Sequence, residues 1–384
     1  MEIRKNTYLS LIFVDLKLVW AIIRYRKRFL YLGVLSIVFL GVKNLAVTIE
    51  DVAREAGVSI TTVSRVVNDN YPVKIETRQR VEEAIKRLNY RPNPIAVSLV
   101  RKTTNIIGVI VPGISNMYFS DVVSGIEKYL KEYDYDVFLV SEVKDAKSEK
   151  KYVNKFIDRF VDGLIVLDPK TENILSGFYS DVSKRIPLVL VNGYNEGIDL
   201  NFVISIQEKG FCEAMEYLIN LGHKKIAFVR GEKSYSYDLK ENIYKEYMNK
   251  IKSPYIIINT DDGNTIEVVK NTENKIAEIN DRYRIGRDIT AFCACNDLMA
   301  FGILNGCSNL GLSVPKDVSV VGFDNIMISE MSNPKLTTVD QNMKTLGKKA
   351  AELIVKTIKN ENKKPQKVFV DTLLIKRESC ALVK

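Results

Sequence analysis

The chain has few of the residues on which enzymes and metal proteins depend. Its 384 residues include one histidine, His223, and five cysteines. A single histidine supplies neither the paired ligands of a metal site nor a Ser-His-Asp arrangement. The sequence also has no glycine-rich phosphate loop of the P-loop or dinucleotide type. We therefore predict a protein that is not an enzyme and that uses no cofactor and no metal.

The cysteine spacing does not indicate disulfides. Cys293 and Cys295 lie two residues apart in a predicted buried strand, so their side chains point to opposite faces of the sheet. This pattern fits small buried side chains better than a disulfide or a zinc pair. Reduced thiols in turn fit a cytoplasmic location.

Positive charge is concentrated at the beginning of the chain. The formal net charge of +9 divides into +6 for residues 1–46, +3 for residues 47–102 and zero for residues 103–384. A basic surplus limited to the N-terminal part suits phosphate binding, whereas the neutral remainder has no electrostatic reason to contact nucleic acid. We therefore expect the remainder to bind a small molecule.

The segment 47–92 shows helical patterning in three successive runs. The first run has apolar residues at every third or fourth position behind Thr48, a suitable N-cap. Gly57 allows a sharp turn because glycine tolerates a positive φ, and Ser59 then caps a second helix. A third helix is expected over residues 76–88. This order predicts a helix-turn-helix domain.

The second helix of this domain has one apolar and one polar face. Polar side chains at its start and outer side are placed as a recognition helix presents them to base edges in the major groove. Arg65 is the expected guanine reader, because its guanidinium can bond O6 and N7 together. The predicted DNA-binding residues are Thr48, Ser59, Ile60, Thr61, Thr62, Ser64, Arg65 and Asn68. Four cations of the third helix are expected to meet solvent or phosphate: Arg78, Arg80, Lys86 and Arg87.

Two sequence runs, far apart in the chain, resemble the lactose repressor (LacI/GalR) family of bacterial transcription regulators. The first is TIEDVAREAGVSITTVSRVVN, followed by YRPN, and the second is NDLMAFGILNGCSNLGLSVPKDVSVVGFDN, followed by LTTVDQ. The resemblance extends essentially from Val47 to the C-terminus. It implies a homodimer or tetramer, a DNA operator of two near-palindromic half-sites, and a small effector that changes DNA affinity. A protein corepressor is an alternative, since the family includes a carbon regulator with a phosphoprotein partner.

A short apolar hinge helix and linker are predicted over residues 93–104. Asn93 is a suitable N-cap, and so short a helix is marginal alone in water. We expect it to order beside its dimer mate in the minor groove, where Leu99, at the family's wedge position, would kink the duplex. Packing against the partner helix is the alternative role of Leu99. The predicted hinge contacts to DNA are Asn93, Ala96 and Leu99.

Residues 105–384 alternate short apolar runs with helical stretches. Two sets of predicted parallel strands exceed one core and favour two α/β lobes. By resemblance, this part has the two-lobed periplasmic-binding-protein-like fold, in which the chain crosses between the lobes three times and an effector binds in the cleft. The predicted strands are 106–111, 137–140, 164–167, 188–191, 226–229, 256–258, 291–294 and 318–321.

Residues beyond the carboxyl ends of the strands form the predicted effector site, because ligands of parallel sheets gather there. By family position, Tyr118 and Phe119 line the pocket and Asp297 is the effector-binding acid, with an N-cap as its alternative role. Asn192 follows the fourth strand as a polar partner. Lys240 lies near the position at which the family usually has an arginine. Because lysine is a point charge rather than a fork, a bidentate clamp on a sugar or carboxylate is in doubt. Pocket polarity favours a carbohydrate or sugar phosphate over a nucleobase.

The first 46 residues carry two apolar runs, 9–23 and 29–42, separated by a basic link. The second run is shorter than the roughly twenty residues that span a bilayer. A secretory signal would carry a DNA-binding domain away from DNA, so two alternatives remain: a membrane-tethered helical hairpin and an extension upstream of the functional start. We favour a functional chain that starts near Val47 and has no membrane partner.

Together these patterns predict a sequence-specific DNA-binding transcriptional regulator, a repressor, with an all-α helix-turn-helix head and an α/β core. The alternative is a solute-binding protein or a membrane-tethered sensor whose head is non-functional.

Overall fold

A computed structural model describes residues 47–69, 71–91, 103–141, 143, 145–232, 234–261, 263–361 and 364–383. The chain divides into two compact units, residues 1–100 and residues 101–384. The predictions for residues 1–46 and for the hinge residues Asn93, Ala96 and Leu99 lie outside the described residues. Within the described ranges, no helix is both long and apolar enough to cross a membrane.

The described part of the first unit, called the head below, has three helices. They are α1 (Ile49–Ala56), α2 (Ile60–Asn68) and α3 (Ile75–Leu88). Val52, Val63 and Val81, one from each helix, are fully buried in its small core. The predicted helix-turn-helix order is therefore confirmed.

The predicted helix ends of the head are also confirmed. The Thr48 hydroxyl accepts a hydrogen bond from the Asp51 backbone N–H, and the Asp51 carboxylate accepts one from the Thr48 N–H at 3.0 Å. The Thr48 N–H and the Thr48 hydroxyl both donate to the Asp51 carboxylate, and these two bonds lower the pKa of Asp51. Gly57 ends α1 with a φ of 64°, and the Ser59 hydroxyl accepts from the Thr62 N–H at 3.2 Å. The Thr48 and Ser59 hydroxyls each satisfy a backbone donor that the first turn of a helix leaves free.

The second unit, called the core below, has twelve described strands and ten described helices. The strands are β1 (Ile106–Ile110), β2 (Asp136–Val140), β3 (Gly163–Leu167), β4 (Leu188–Val191), β5 (Phe202–Ser205), β6 (Ile226–Arg230), β7 (Ile256–Asn259), β8 (Ala291–Ala294), β9 (Ser319–Val321), β10 (Thr338–Asp340), β11 (Lys367–Val370) and β12 (Leu373–Ile375). The helices are α4 (Met117–Lys131), α5 (Ala146–Asp158), α6 (Thr171–Leu175), α7 (Phe178–Ser183), α8 (Gln207–Asn220), α9 (Tyr235–Lys250), α10 (Glu267–Arg282), α11 (Asp297–Asn309), α12 (Met327–Met331) and α13 (Met343–Ile358).

Two parallel sheets give the core its two lobes. The first sheet has six strands in the order β11-β5-β4-β3-β1-β2, and the second has four in the order β7-β6-β8-β9. An antiparallel pair, β10 with β12, lies beside the second sheet and joins it through a bridge between Val321 and Thr337. The central strands β3, β4 and β8 are buried along their whole length, as the continuous apolar runs predicted.

The chain crosses between the lobes three times, as predicted. It leaves the first lobe after β5, returns after β10 through α13, and leaves again after β11, when β12 pairs with β10. The carboxyl ends of strands from both sheets therefore meet at the crossings. Ligands of parallel sheets gather at such edges.

Two glycines bring α4 and α13 into close contact. A methyl group on Gly347 would overlap the backbone carbonyl of Val122, and one on Gly125 would overlap the carbonyl of Lys344. The backbones can approach this closely only because both positions lack a Cβ atom. The packing fixes the orientation of α4, which begins at the cleft.

Candidate functional site

One face of α2 in the head is accessible. Ile60, Thr61 and Arg65 are exposed. The Arg65 guanidinium lies 4.9 Å from the centre of the exposed Tyr71 ring. No carboxylate in the described part of the head forms an ion pair with Arg65. Its forked N–H groups are thus available to an outside acceptor such as a guanine edge.

The other predicted DNA-binding residues of the head also make hydrogen bonds within it. Thr48 and Ser59 cap their helices, and the Thr62 hydroxyl lies 2.9 Å from the Ser59 hydroxyl. The Asn68 side-chain amide donates to the Ser64 carbonyl at 2.9 Å. These contacts stabilise the ends and turns of α1 and α2. Ile60, Thr61 and Arg65 have exposed side chains that are not used in this way, so they are better placed to read bases.

Two of the four cations of α3 that were expected to meet solvent or phosphate also form ion pairs within the head. Arg78 pairs with Asp69 at 2.6 Å, and Arg87 pairs with Glu55 on α1 at 2.6 Å. The two carboxylates reach these arginines because the head folds its helices against one another. Sequence spacing alone does not reveal such contacts. Arg80 and Lys86 are exposed.

Fifteen residues line a narrow cleft between the two lobes of the core. Five come from the first lobe, eight come from the second, and Gln207 and Gln341 come from the crossing segments. Most follow the carboxyl ends of strands in the two sheets. Four of the five predicted effector-binding residues are among them: Tyr118, Phe119, Asn192 and Lys240.

The first lobe supplies an aromatic and amide wall. Asn116 caps α4 by accepting from the Tyr118 N–H at 3.0 Å. The Asn192 amide donates to the Tyr118 hydroxyl at 2.7 Å, and its carbonyl oxygen accepts from the Ser205 N–H at 2.8 Å. The rings of Tyr118 and Phe119 meet edge to face at 5.1 Å. Burial raises the pKa of Tyr118, so its hydroxyl keeps its proton and can donate to a ligand.

The second lobe places Lys240 in the wall of the cleft. Its Nζ donates to the Ser236 hydroxyl at 2.9 Å and to the Cys295 carbonyl at 3.3 Å. The same atom lies 3.9 Å from the centre of the Phe323 ring, a favourable position for a cation. Burial lowers the pKa of Lys240, an effect that nearby acidic groups oppose.

Two carboxyl groups, one from each lobe, face the cleft. Asp324 accepts from the Gln341 amide at 2.6 Å, and burial raises its pKa to about 7. Burial also raises the pKa of Asp168. No described residue donates a hydrogen bond to the side chain of Asp168 or to the second oxygen of Asp324, and the buried Oε1 of Gln341 has no partner either. The cleft thus contains several acceptors that need donors.

Asp297 lies behind the cleft rather than in its lining. It has no exposed surface, and its two oxygens accept from the Ile326 N–H at 2.9 Å and from the Thr338 hydroxyl at 2.5 Å. The N-cap of α11 is Asn296, which accepts from the Met299 N–H at 2.9 Å. The predicted effector-binding acid Asp297 is therefore not among the residues that line the cleft. It connects α11 to the segments that hold Asp324.

Sequence reasoning missed Asp168, Asp324 and Gln341. Asp168 directly follows β3 and Asp324 follows β9 by three residues. The rule that selected Asn192, a polar residue just beyond a buried strand, would have selected both acids. Gln341 follows β10, a strand that was not predicted, so no sequence signal identified it.

Comparison with known proteins finds similarity to both the head and the core. The family described as bacterial regulatory proteins, lacI family, matches residues 48–93, and a periplasmic binding protein-like domain matches residues 215–380. Catabolite control protein A of Priestia megaterium is 35% identical over 325 residues, covering 82% of this chain and 93% of that protein. The chain belongs to the LacI family.

Other LacI-family relatives and structures are similar over most of their length. The HTH-type transcriptional repressor PurR of Vibrio atlanticus is 32% identical over 317 residues, covering 82% of this chain and 93% of that protein. A lac repressor dimer bound to operator and the anti-inducer ONPF superposes with a TM-score of 0.75 at 27% identity, covering 87% of this chain and 99% of that one. A complex of the transcriptional regulator CelR with cellobiose gives a TM-score of 0.63 at 26% identity, with the same coverage.

Proposed function

We propose that the chain is a sequence-specific DNA-binding repressor whose operator affinity is controlled by a small effector in the core cleft. The observation that carries this proposal is the exposed face of α2, where Arg65 has free donors on a well-capped helix. The polar cleft in the core supports the effector. Among the relatives, PurR is named a transcriptional repressor, and the lac repressor was solved on its operator.

A second copy of the chain is the proposed partner for DNA binding. Each lobe exposes large apolar side chains: Phe138 and Leu139 on the edge strand β2, and Met327 and Met331 on α12. Contact with another copy would remove this surface from water. The lac repressor in the operator complex is a dimer, and two heads would match two half-sites of a palindromic operator.

The proposed effector is a compound with several hydroxyl groups, such as a carbohydrate. The Asp168 carboxylate, the second oxygen of Asp324 and Oε1 of Gln341 all lack a described donor, and hydroxyl groups would supply donors to them. The rings of Tyr118 and Phe119 provide apolar surface for a sugar ring. The related CelR structure holds a carbohydrate, cellobiose.

The charges of the cleft favour an unphosphorylated effector. Its lining has two carboxyl groups and one cation, Lys240, which already donates to two protein acceptors. Arg230, at the end of β6, is paired with Asp238 at 2.6 Å and with Glu241. A phosphate group would therefore meet two acids without a free arginine.

Replacing Arg65 tests the DNA-reading role. We expect Arg65→Ala to cost about 1–3 kcal/mol of operator binding and to relax base preference at one operator position. Titration of operator and random fragments at one fixed salt concentration measures both. Lys86→Ala is the matched control, because loss of an exposed cation on α3 should weaken both fragments similarly. Unchanged preference in Arg65→Ala contradicts the assignment, and a wild-type chain without any preference favours a solute-binding protein.

A further inference from the structure

A second cavity lies in the second lobe, at the opposite edge of the sheet from the cleft. Apart from two residues of the C-terminal segment, its residues come from the loops that precede β6, β8 and β9, whereas the cleft residues of this lobe follow the carboxyl ends of the strands. The cavity has a volume of about 740 Å³. It is therefore separate from the effector site and large enough for a small organic ligand.

Positive charge dominates this cavity. Its five cationic residues are Lys224, Lys225, Arg284, Arg287 and Lys316. Its one acidic residue is Asp317, whose carboxylate accepts from the Ser313 N–H at 2.8 Å. Residues 103–384 as a whole carry no net charge. Three separate loops thus gather cations from a neutral unit at one place.

The cations of the cavity form no ion pairs. None of them is within ion-pair distance of a carboxylate in the described part of the core, although the Asp288 carboxylate accepts from the Arg284 backbone N–H at 3.2 Å. Lys225 donates instead to the backbone carbonyl of Arg287 at 2.9 Å, which holds two of the loops together. Like charges gathered in a concave site repel one another and attract an anion with several negative charges.

The C-terminal segment gives the cavity an apolar wall. Leu382 is 73% exposed and Val383 is 37% exposed, although both line the cavity. The Val383 N–H donates to the Leu221 carbonyl at 2.9 Å, and Nε2 of His223 lies 3.0 Å from the Ala381 carbonyl oxygen. These contacts fix the segment in place. An exposed apolar wall beside a basic rim suits a ligand with an apolar as well as an anionic part.

We propose that this cavity binds an organic polyphosphate of the nucleoside di- or triphosphate class. The basic residues of the three loops hold the phosphates, and Leu382 and Val383 pack against the base. Inorganic pyrophosphate would satisfy only the basic rim, and an unphosphorylated nucleoside would satisfy only the apolar wall. None of its lining residues belongs to the effector cleft or to the DNA-binding head.

Isothermal titration of the full chain with ATP, pyrophosphate and adenosine tests the proposal. At about 0.15 M salt, we expect ATP to bind with a Kd below about 1 mM, more tightly than pyrophosphate, and adenosine to show no binding. Arg284→Glu combined with Lys316→Glu should weaken ATP binding at least about tenfold. The matched control is Lys151→Glu combined with Lys348→Glu, which makes the same change in charge at two exposed lysines of the first lobe. It should leave ATP binding unchanged.

A second variant tests the apolar wall. Leu382→Asn changes an exposed side chain, so folding should be unaffected, and we expect about threefold or more weaker ATP binding with unchanged pyrophosphate binding. No ATP binding, or ATP binding that the charge reversal leaves intact, overturns the site. Equal affinity for pyrophosphate and ATP overturns the proposed ligand class. Loss of ATP binding in Arg65→Ala would place the anion at the head instead and overturn the proposal.

Discussion

Asp324 is the cleft carboxyl whose geometry is most restricted by its surroundings. It is nearly fully buried, accepts from Gln341 and has a φ of 121°, a backbone conformation that side-chain-bearing residues rarely adopt. Local strain of this kind persists where the surrounding structure requires one geometry. Here the Asp297 carboxylate binds the N–H of Ile326, two residues later, and so holds the segment.

From the raised pKa of Asp324 we predict that effector binding depends on pH. Its pKa is about 7, and the ionised form is the one that accepts two hydroxyl hydrogen bonds. Lowering the pH from 8 to 6 protonates the group, so we expect the affinity for a carbohydrate effector to fall up to about tenfold. Calorimetric titration with the best sugar from a thermal-shift screen measures this change.

Two variants serve as controls for this pH dependence. Asp324→Asn should bind the sugar more weakly and show a flatter profile between pH 6 and pH 8. Asp199→Asn, which changes an exposed carboxyl of the first lobe, should keep the wild-type profile. A profile that is the same in Asp324→Asn and in the wild type would assign the effect to another group.

The caps of the head and most residues of the first-lobe wall of the cleft could be predicted from the sequence, because their positions depend on nearby residues in the chain. Thr48, Gly57 and Ser59 act within three residues of themselves, so their roles could be predicted. Asp297 and Asp324 both follow strands, and spacing does not tell which carboxylate faces the cleft. That choice depends on distant donors, the Thr338 hydroxyl and the Gln341 amide.

Among the elements, the contact between α4 and α13 links the two parts of the chain that build the first lobe. Helix α4 begins with the cleft residues Tyr118 and Phe119, and α13 arrives after the second crossing. A helix pair this close depends on positions without side chains. The geometry of this helix pair therefore affects the position of the cleft residues on α4 as well as the stability of the core.

Replacing Gly347 tests the importance of this contact. We expect Gly347→Ala to lower the free energy of unfolding by about 3 kcal/mol, because the methyl group meets the Val122 carbonyl and the helices must separate. Thermal or urea denaturation measures the loss. Gly177→Ala is the control: its added methyl meets nothing within 4 Å, and its φ of 76° should cost only about 1 kcal/mol. Equal losses in the two variants contradict the packing argument.

The eight strands predicted from apolar runs are all present, each within one residue of its expected ends. Continuous burial in a parallel sheet leaves this clear pattern. The missed strands are β5, β10, β11 and β12, which have three or four residues each. Strands β11 and β12 are only partly buried, and β10 pairs with a strand more than thirty residues away. These three strands depend on distant partners rather than on local sequence. Strand β5 is buried along its whole length, but its apolar run is only Phe202 to Ile204.

For the whole molecule, the division of charge matches the division of tasks. Arg65, Arg80 and Lys86 form no ion pair in the described part of the head and lie on α2 and α3, whereas the effector cleft has two carboxyl groups and a single lysine. The regulatory claim requires that the two units influence each other, so that occupancy of the cleft changes operator affinity. Couplings of this kind are typically about 1–3 kcal/mol.

The most direct measurement is a titration of the wild-type chain with a promoter operator fragment and with random DNA, at one salt concentration, with and without a saturating cleft ligand. We expect at least about a thousandfold preference for the operator, and a shift of about 5–150-fold in operator affinity when the cleft is filled. Equal binding to operator and random DNA, or an operator affinity that the cleft ligand leaves unchanged, would contradict the account.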